Sequence, residues 1–249
     1  MASALPELSM LVTCRDLGAT LERAVDSCAP VLRAVSSELL IIDDGSTDAT
    51  SEVCAALAAR YGSIVSIRRH DRPRGLVASC NEGLAAARGT KWLRLDADDE
   101  LIGEAVVRAY ARFAQPYDVA VTDYEIFDQG TGACTRVALE PFNAFQTIAC
   151  GIVFERATLL KIGGYRPLFW EEYDLLVRLE RAGAVRRYLP EVTYRYVRHQ
   201  RNMTADPRAR LEGWRQFVAQ WGLDALAGHP EREAIERDLQ ALEAGADGA

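Results

Sequence analysis

Residues 91–100 read Lys-Trp-Leu-Arg-Leu-Asp-Ala-Asp-Asp-Glu, an apolar run that breaks off into a cluster of acids. The apolar residues Trp92, Leu93 and Leu95 predict a strand. Carboxylates this close together raise one another's pKa unless a cation lies among them, and Mg²⁺ or Mn²⁺ suits such oxygen ligands. Ligands of open α/β sheets bind beyond the carboxyl ends of the strands. The stretch therefore predicts a metal and phosphate site, the alternative being a solvated acidic turn that caps the next helix.

Composition limits the classes of protein to consider. The 249 residues are enough for one large core, and 49% hydrophobic with 26% charged residues is typical of a soluble globular protein. A net charge of -7 argues against nonspecific binding to nucleic acid. Basic residues nevertheless dominate from Arg178 to Arg210. They could face a diphosphate or an anionic lipid, or form an ordinary solvated surface.

Cysteine usage indicates the compartment. The six cysteines form no C-x-x-C pair and no metal-ligand spacing, and most lie in apolar contexts, so we expect reduced core cysteines. No signal-peptide pattern and no apolar stretch of membrane-spanning length is present. We therefore expect a cytoplasmic protein, with peripheral contact at the inner face of the membrane left open.

Strands and helices alternate along the first hundred residues. Strands are predicted at 9–14, 39–42, 64–68 and at the run that ends in Asp96, which is the pattern of a parallel sheet wound with helices. Asp16 is expected to cap the first helix, and Pro30 to kink or end it. A hairpin is predicted within 117–139. We expect a domain over 1–204, with its halves meeting near Glu100, and a helical extension over 205–249.

Four motifs occur in a fixed order: Asp43-Asp44-Gly45-Ser46-Thr47-Asp48, Asp96-Ala97-Asp98-Asp99, Gly163-Gly164-Tyr165 and Glu171-Glu172-Tyr173-Asp174-Leu175. Together they resemble the family 2 glycosyltransferases of the GT-A fold, and the similarity covers roughly 9–204. The resemblance implies an α/β protein with a mostly parallel central sheet flanked by helices. It also implies transfer of a sugar, with inversion, from a nucleotide sugar (most often a UDP-sugar) to an acceptor hydroxyl.

The resemblance also implies roles on the donor side. Asp44 would accept hydrogen bonds from the nucleobase, Asp96 would lie near the ribose, and Arg74 would contact a phosphate. Asp98 or Asp99 would bind the Mn²⁺ or Mg²⁺ that bridges the diphosphate, with His199 as a further ligand. For Asp43 and Asp44 the alternative is a turn with a helix cap, and for Arg74 and His199 it is a solvated surface residue.

On the acceptor side, Glu172 stands where the family carries its general base, an aspartate, and Glu171 is the fallback base. The alternative is a pair of acids that stabilise a helix N-terminus. Trp170 beside them could be a sugar platform or a core residue. The acceptor could be a glycan, a lipid-linked molecule or a small molecule. The terminal helices would pack on the second half or mediate a homodimer.

The first strand departs from the family pattern. Thr13-Cys14-Arg15-Asp16 stands where relatives carry Pro-Thr-Tyr-Asn, so Arg15 replaces an aromatic neighbour of the base. A guanidinium can stack on a base face, so Thr13 and Arg15 stay candidate nucleotide contacts.

Three other classes of protein were weighed. The Arg15 and Glu172 changes favour, as the alternative function, a non-catalytic nucleotide-sugar-binding or scaffold protein. A nicotinamide-dependent dehydrogenase is excluded because no G-x-G-x-x-G follows the first strand. A haloacid-type phosphatase needs an acidic pair at that strand end, where only Asp16 is available.

Overall fold

A computed structural model describes residues 5–113, 115–148 and 150–246. Its strands are β1 Leu8–Cys14, β2 Ser37–Asp43, β3 Val65–Arg69, β4 Lys91–Asp96, β5 Glu100–Leu101, β6 Val119–Asp128, β7 Cys134–Val137, β8 Val153–Glu155 and β9 Arg186–Arg198. Its α-helices are α1 Gly18–Ser27, α2 Ala29–Ala34, α3 Thr50–Tyr61, α4 Leu76–Ala86, α5 Gly103–Arg112, α6 Arg156–Lys161, α7 Glu171–Arg181, α8 Pro207–Trp221 and α9 Arg232–Ala246.

The first half of the sheet is parallel, in the order β3-β2-β1-β4. Every residue of β1 is buried, as expected for a strand covered by helices on both faces. In the register, Cys14 lies opposite Asp43, and Thr13 lies opposite Asp96. The carboxyl ends of β2, β1 and β4 therefore meet at one edge of the sheet.

The second half of the sheet is mixed. β8 pairs antiparallel with β4 and β6, whereas β9 runs parallel to β6 and antiparallel to β5. The predicted hairpin is confirmed as β6 and β7. Six of the nine strands (β1, β2, β3, β4, β6 and β9) take part in parallel pairings. The expected α/β architecture with a mostly parallel sheet is therefore confirmed.

Asp16 does not cap the first helix, which corrects the prediction. It adopts a φ of 53°, and Leu17 precedes the helix without a side-chain cap. The Asp16 carboxylate instead accepts hydrogen bonds from the backbone amides of Thr47, at 2.7 Å, and Asp48, at 3.3 Å. It thus joins the loop after β1 to the loop after β2. Pro30 lies in the first turn of α2, where its missing N–H costs nothing, so the helix breaks where predicted.

Two apolar clusters stabilise the fold. The larger one fills the space between the sheet and its helices. The second, which we call the C-terminal cluster, consists of Trp170, Trp214, Phe217, Leu226, Ile235 and Leu239. It joins α8 and α9 to the start of α7. The domain over 1–204, its internal boundary near Glu100 and the extension over 205–249 stay predictions.

Five of the six free cysteines are buried, as expected, and Cys134 on β7 is exposed. Within the described ranges, no helix combines the length and the apolar composition needed to cross a bilayer.

Candidate active site

Asp96 ends β4 and is held by the side chain of Arg94 from the same strand. Arg94 Nε donates to Asp96 Oδ1 at 2.9 Å, and Nη2 donates to Oδ2 at 3.0 Å. The Cys150 thiol donates to the same carboxylate at 3.2 Å. The side chain of Asp96 stays 30% exposed. Its orientation is therefore fixed by Arg94 and Cys150, while part of the carboxylate stays open to solvent.

Asp98 pairs with His199, which the sequence placed a hundred residues away. Asp98 Oδ2 lies 3.0 Å from His199 Nε2. Burial raises the pKa of Asp98, and the charge of Asp96 raises it further. His199 Nδ1 accepts a hydrogen bond from the Arg201 amide at 3.1 Å. When the ring is neutral, Nε2 therefore carries the N–H and donates a hydrogen bond to Asp98.

Asp99 faces the opposite way. Its Oδ1 accepts from the Val197 amide at 2.7 Å, and its Oδ2 accepts from the Tyr194 hydroxyl. It is only 2% exposed, and burial followed by the charge of Asp98 raises its pKa well above the usual range. Asp99 therefore ties the turn after β4 to β9, an arrangement that does not support it as an alternative metal ligand.

The donor set at Asp98 fits a divalent ion in part. A carboxylate oxygen and an imidazole nitrogen both suit Mn²⁺, and Mg²⁺ takes few protein ligands beside substrate phosphates. In the part of the chain that the structure describes, no three His, Cys, Asp or Glu side chains converge as a metal cage. The remaining ligands would thus come from a diphosphate and water. Binding through Nε2 would also require the His199 proton to move to Nδ1, which displaces the Arg201 amide.

The two acids after β2 have different tasks. Asp43 accepts from the Ser46 amide at 2.9 Å and from the Ser51 hydroxyl at 2.8 Å, so it stabilises the turn at Gly45. That turn needs glycine, since φ is +71° and a Cβ would lie 2.9 Å from the Arg72 backbone. The turn interpretation is therefore correct for Asp43, whereas the Asp44 carboxylate has other partners.

Asp44 is 5% exposed and surrounded by donors. The Arg74 amide donates to Oδ1 at 2.7 Å, and the Gly75 amide donates to Oδ2 at 2.8 Å. His70 Nδ1 lies 2.6 Å from Oδ1, and its Nε2 lies 3.0 Å from Glu82 Oε2. Burial opposes ionisation of Asp44, but the bonds from His70 and the amides outweigh it and lower its pKa.

His70 shows the converse balance. Burial lowers its pKa, but the carboxylates of Asp44 and Glu82 outweigh burial and raise it. Neither His70 nor Glu82 is among the residues that the sequence motifs predict for the site. The sequence feature that could have identified them is the position of His70 directly after β3. This strand runs parallel to β2 and so ends beside Asp44. A cavity of about 450 Å³ lies beside this group, lined by Arg69, His70, Asp71, Arg72, Arg74 and Glu82.

The other candidate contacts to the nucleotide sugar lie around the edge formed by the carboxyl ends of β1, β2 and β4. Thr13 is buried opposite Asp96. Arg15 is exposed, and its Nε lies 3.9 Å from Asp16 Oδ2. The Arg74 side chain reaches Glu82, at 2.8 Å. Arg74 thus serves Asp44 through its backbone, while its guanidinium borders the cavity.

Glu171 and Glu172 open α7, and they differ in their surroundings. Glu171 is 2% exposed and its Oε1 accepts from Arg94 Nη1 at 2.7 Å. Glu172 is partly buried. Burial raises the pKa of Glu172 well above its usual range, and the charge of Glu171 raises it further. A carboxylate with a raised pKa is a stronger base, which is the property that proton abstraction requires.

Trp170 belongs to the C-terminal cluster. It is 6% exposed and stacks on Trp214 with ring centroids 4.7 Å apart, and on Tyr173 at 5.4 Å. The core interpretation is therefore correct and the sugar-platform interpretation is wrong. The cluster supports the end of α7 that carries the two glutamates.

Arg94 is the residue that connects these parts, and it is not among the predicted site residues. It comes from β4, contacts Asp96, and reaches Glu171 on α7. Its signal was a charged residue inside an otherwise apolar strand. Asp44 and Asp96 thus lie at the ends of neighbouring strands with Thr13 of β1 between them, and Arg94 ties Glu171 of α7 to Asp96.

This fold and this group of acids define the class of GT-A sugar-nucleotide proteins. Residues 9–189 match the family model described as glycosyl transferase family 2. The chain belongs to that family.

Curated relatives match over part of the chain. An undecaprenyl-phosphate 4-deoxy-4-formamido-L-arabinose transferase of Pseudomonas aeruginosa is 36% identical over 99 residues, 40% of this chain and 29% of the relative. A PGL/p-HBAD biosynthesis glycosyltransferase of Mycobacterium bovis is 31% identical over 123 residues, 48% of this chain and 47% of the relative. The chain thus spans less than half the length of these two relatives.

Solved structures share the fold. The mannosyltransferase PcManGT from Pyrobaculum calidifontis, in complex with GDP-Man and Mn²⁺, superposes with a TM-score of 0.68 at 16% identity, covering 95% of this chain and 70% of that one. S. aureus TarS in complex with UDP-GlcNAc gives a TM-score of 0.67 at 18% identity, covering 94% and 70%. These likenesses confirm the GT-A fold.

Proposed function

We propose that the protein transfers a sugar from a nucleotide diphosphate sugar to an acceptor hydroxyl, with inversion and with the help of Mn²⁺ or Mg²⁺. The observation that carries the proposal is the link through Arg94 between Asp96, at the end of β4, and Glu171, beside Glu172 on α7. It joins a donor-binding acid and a candidate base at one site.

The nucleotide would lie along the ends of β1, β2 and β4. Asp44, whose pKa is lowered, would accept an N–H of the base in addition to its protein donors, with Arg15 available to stack on the ring. Asp96 presents a partly exposed carboxylate to the ribose. Thr13 and the Arg74 side chain line the same edge. The anionic Asp44 favours a base with an N–H at its recognition edge, which uracil and guanine both have.

Asp98 and His199 would hold the divalent ion. When bound, it supplies Lewis-acid stabilisation of the charge that develops on the leaving diphosphate. His199 is kept in place by the Arg201 amide and by Asp98. Asp99 supports the site indirectly, because its bonds to Tyr194 and Val197 fix the turn that carries Asp98.

Glu172 would act as the general base. It takes the proton of the acceptor hydroxyl while the acceptor oxygen forms its bond to the anomeric carbon and the bond to the diphosphate oxygen breaks. One displacement of this kind inverts the anomeric centre. The raised pKa of Glu172 strengthens it as a base.

The sugar donor and the acceptor are proposed by chemical class. A UDP-sugar is our first candidate, supported by the resemblance and by TarS with UDP-GlcNAc, and PcManGT with GDP-Man makes a GDP-sugar the comparison. The Pseudomonas relative is named for undecaprenyl phosphate, so a lipid-linked acceptor is the candidate. Exposed Arg198, Arg201 and Arg208 could meet its phosphate at the inner face of a membrane. We further propose a cytoplasmic location, and a homodimer through the terminal helices as an arrangement to test.

A ligand panel tests the donor. Thermal unfolding is followed with UDP, GDP, UDP-GlcNAc and GDP-Man, each with and without Mn²⁺. A ligand that binds the native state raises Tm. At a hundredfold excess over Kd it adds about 2.7 kcal/mol to the free energy of unfolding. We expect UDP and its sugar to raise Tm, and more with Mn²⁺. Absence of a shift with every nucleotide would contradict the proposal.

The alternative function is a non-catalytic nucleotide-sugar-binding or scaffold protein. The observations that favour it are two departures from the family pattern, Arg15 in place of an aromatic residue and Glu172 in place of the usual aspartate. Tight nucleotide binding without sugar release or transfer at any pH between about 6 and 9 would support this alternative. Turnover that rises with pH would exclude it.

A further inference from the structure

Arg94 joins Asp96 to Glu171, and the effect of this link on the two glutamates of α7 goes beyond the proposed function. Its side chain is 4% exposed. Nε and Nη2 donate to the two oxygens of Asp96, at 2.9 and 3.0 Å, and Nη1 donates to Glu171 Oε1 at 2.7 Å. All three guanidinium nitrogens thus have a carboxylate acceptor, and those carboxylates come from two separate parts of the chain.

This arrangement has a high energetic cost if any partner is lost. A buried ion that loses its partner typically destabilises a protein strongly, and the planar guanidinium fixes both of its acceptors in direction. A lysine in the same place would carry the charge but lack the planar set of N–H donors with which Arg94 binds two carboxylates. Such a costly arrangement in the middle of an apolar strand indicates a task besides folding.

We propose that Arg94 is a positioning residue that ties Asp96 to Glu171 and keeps the Glu171 side chain engaged, so that Glu172 alone takes the acceptor proton. The proposal rests on the proposed function and deepens it. Glu171 and Glu172 are neighbours of identical chemistry, so the sequence leaves either as the base. Arg94 distinguishes them because it engages Glu171 and leaves Glu172 to the acceptor.

The charges that face Glu172 determine how this can be tested. They are Glu171 and Tyr173 from α7 itself and Arg94 from β4. Burial and Glu171 raise the pKa of Glu172, whereas Arg94 lowers it. Loss of the Arg94 charge must therefore raise that pKa further, and loss of the Glu171 charge must lower it. A purely structural role of Arg94 would not produce opposite shifts.

The experiment uses the full chain with Arg94→Gln, Arg94→Lys and Glu171→Gln. The matched control is Arg178→Gln. Arg178 is also a buried arginine, 7% exposed, and it donates to Asp174 at 2.7 Å, with both residues on α7 and outside the site. Turnover is measured against pH with whichever of UDP-GlcNAc and GDP-Man the wild type consumes in an activity assay. In parallel, the side-chain carboxyl carbon of Glu172 is titrated by NMR in glutamate-labelled protein, with Glu172→Gln for assignment.

We expect Arg94→Gln to lower turnover at neutral pH about 100-fold, the lower end of what a general base contributes. Its ascending pH limb should move to higher pH, and that of Glu171→Gln to lower pH. Arg94→Lys should recover part of the loss. Arg178→Gln should stay close to the wild type in turnover and in the pKa of Glu172, even where it melts earlier.

Two results would overturn the proposal. One is an Arg94→Gln profile that matches Arg178→Gln, with the pKa of Glu172 unmoved. The other is loss of the pH limb in Glu171→Gln but not in Glu172→Gln, which would make Glu171 the base. If Arg94→Gln does not fold, Arg94→Lys and Glu171→Gln still show whether the shifts occur. If the wild type consumes no nucleotide sugar, the proposed function fails, and the NMR titration decides on Arg94 by itself.

Discussion

Asp44 on the donor side and Glu172 on the acceptor side are both shielded carboxyls, yet their pKa values move in opposite directions. Asp44 has a lowered pKa because two backbone amides and His70 outweigh the effect of burial. Glu172 has a raised pKa because burial is reinforced by the charge of Glu171. The comparison shows that the donors within reach of a buried acid, more than its burial, determine whether it stays ionised.

The two regions also differ in how they are built. The donor edge comes from parallel strands whose register fixes Thr13 against Asp96. The acceptor side depends on α7, whose start rests on the stacked rings of Trp170 and Trp214. A permanently ionised acid suits binding, and an acid that can take up a proton suits catalysis. The predictions that follow test this division.

Glu172→Gln should give the largest effect on activity. Because the amide cannot take the acceptor proton, we expect turnover to fall about 10²–10⁴-fold, the usual contribution of a general base. Binding of UDP with Mn²⁺ should stay unchanged in a calorimetric titration. Glu180→Gln, an exposed change on the same helix, is the control. Equal turnover in the two variants would remove Glu172 from the reaction.

Trp214→Ala should be the most destabilising change on the acceptor side. Trp214 is 4% exposed, and truncation of a buried tryptophan typically costs about 3–5 kcal/mol. Because the ring supports the start of α7, turnover should fall at temperatures where UDP still binds. Urea unfolding measures the first effect, and Leu223→Ala, at a 41% exposed side chain, is its control. A loss of UDP binding in parallel with turnover would show that the two regions are not separable.

Asp98→Asn should weaken metal binding and leave the stability of the fold unchanged. The amide keeps the shape and can still bond to His199, but it lacks the charge. We expect the affinity for Mn²⁺ in the presence of UDP to fall at least about 10-fold, the lower end of what loss of even outer-shell support costs. The matched control is Glu100→Gln, an acid that pairs with Arg23 at 2.9 Å. Manganese titrations that do not distinguish the two variants would exclude Asp98 as a ligand.

His70→Gln should show a smaller effect that depends on pH. The folded pKa of His70 is raised by its two carboxylate partners, so its contribution to stability is complete below the unfolded value of about 6.5 and is lost as pH rises through the folded pKa. At about pH 6 the variant should lose about 1–3 kcal/mol, the worth of a charged hydrogen bond. The difference in Tm from the wild type should shrink towards pH 9 or so. A difference that stays constant or grows with pH would show that the ring is held neutral.

Much of the fold was predictable because it follows from local chemistry. Apolar runs predicted the four parallel strands, and the turn at Gly45 and the acids after β4 predicted the edge at which a ligand binds. The short antiparallel strand β5 was missed because two residues, Glu100 and Leu101, carry no periodicity. Asp16 was misassigned as a helix cap because its partners, Thr47 and Asp48, come from another loop.

The sequence by itself determined the order of the motifs, the family and the residue types at the site, since these depend on composition and spacing. Only the tertiary structure decided which of several similar acids does what. It turned Asp99 towards β9, gave Asp44 the proton-bearing His70, and placed Arg94 between Asp96 and Glu171. The physical reason is that a carboxylate takes its charge and direction from the donors around it, and here most of those donors lie far away in the chain.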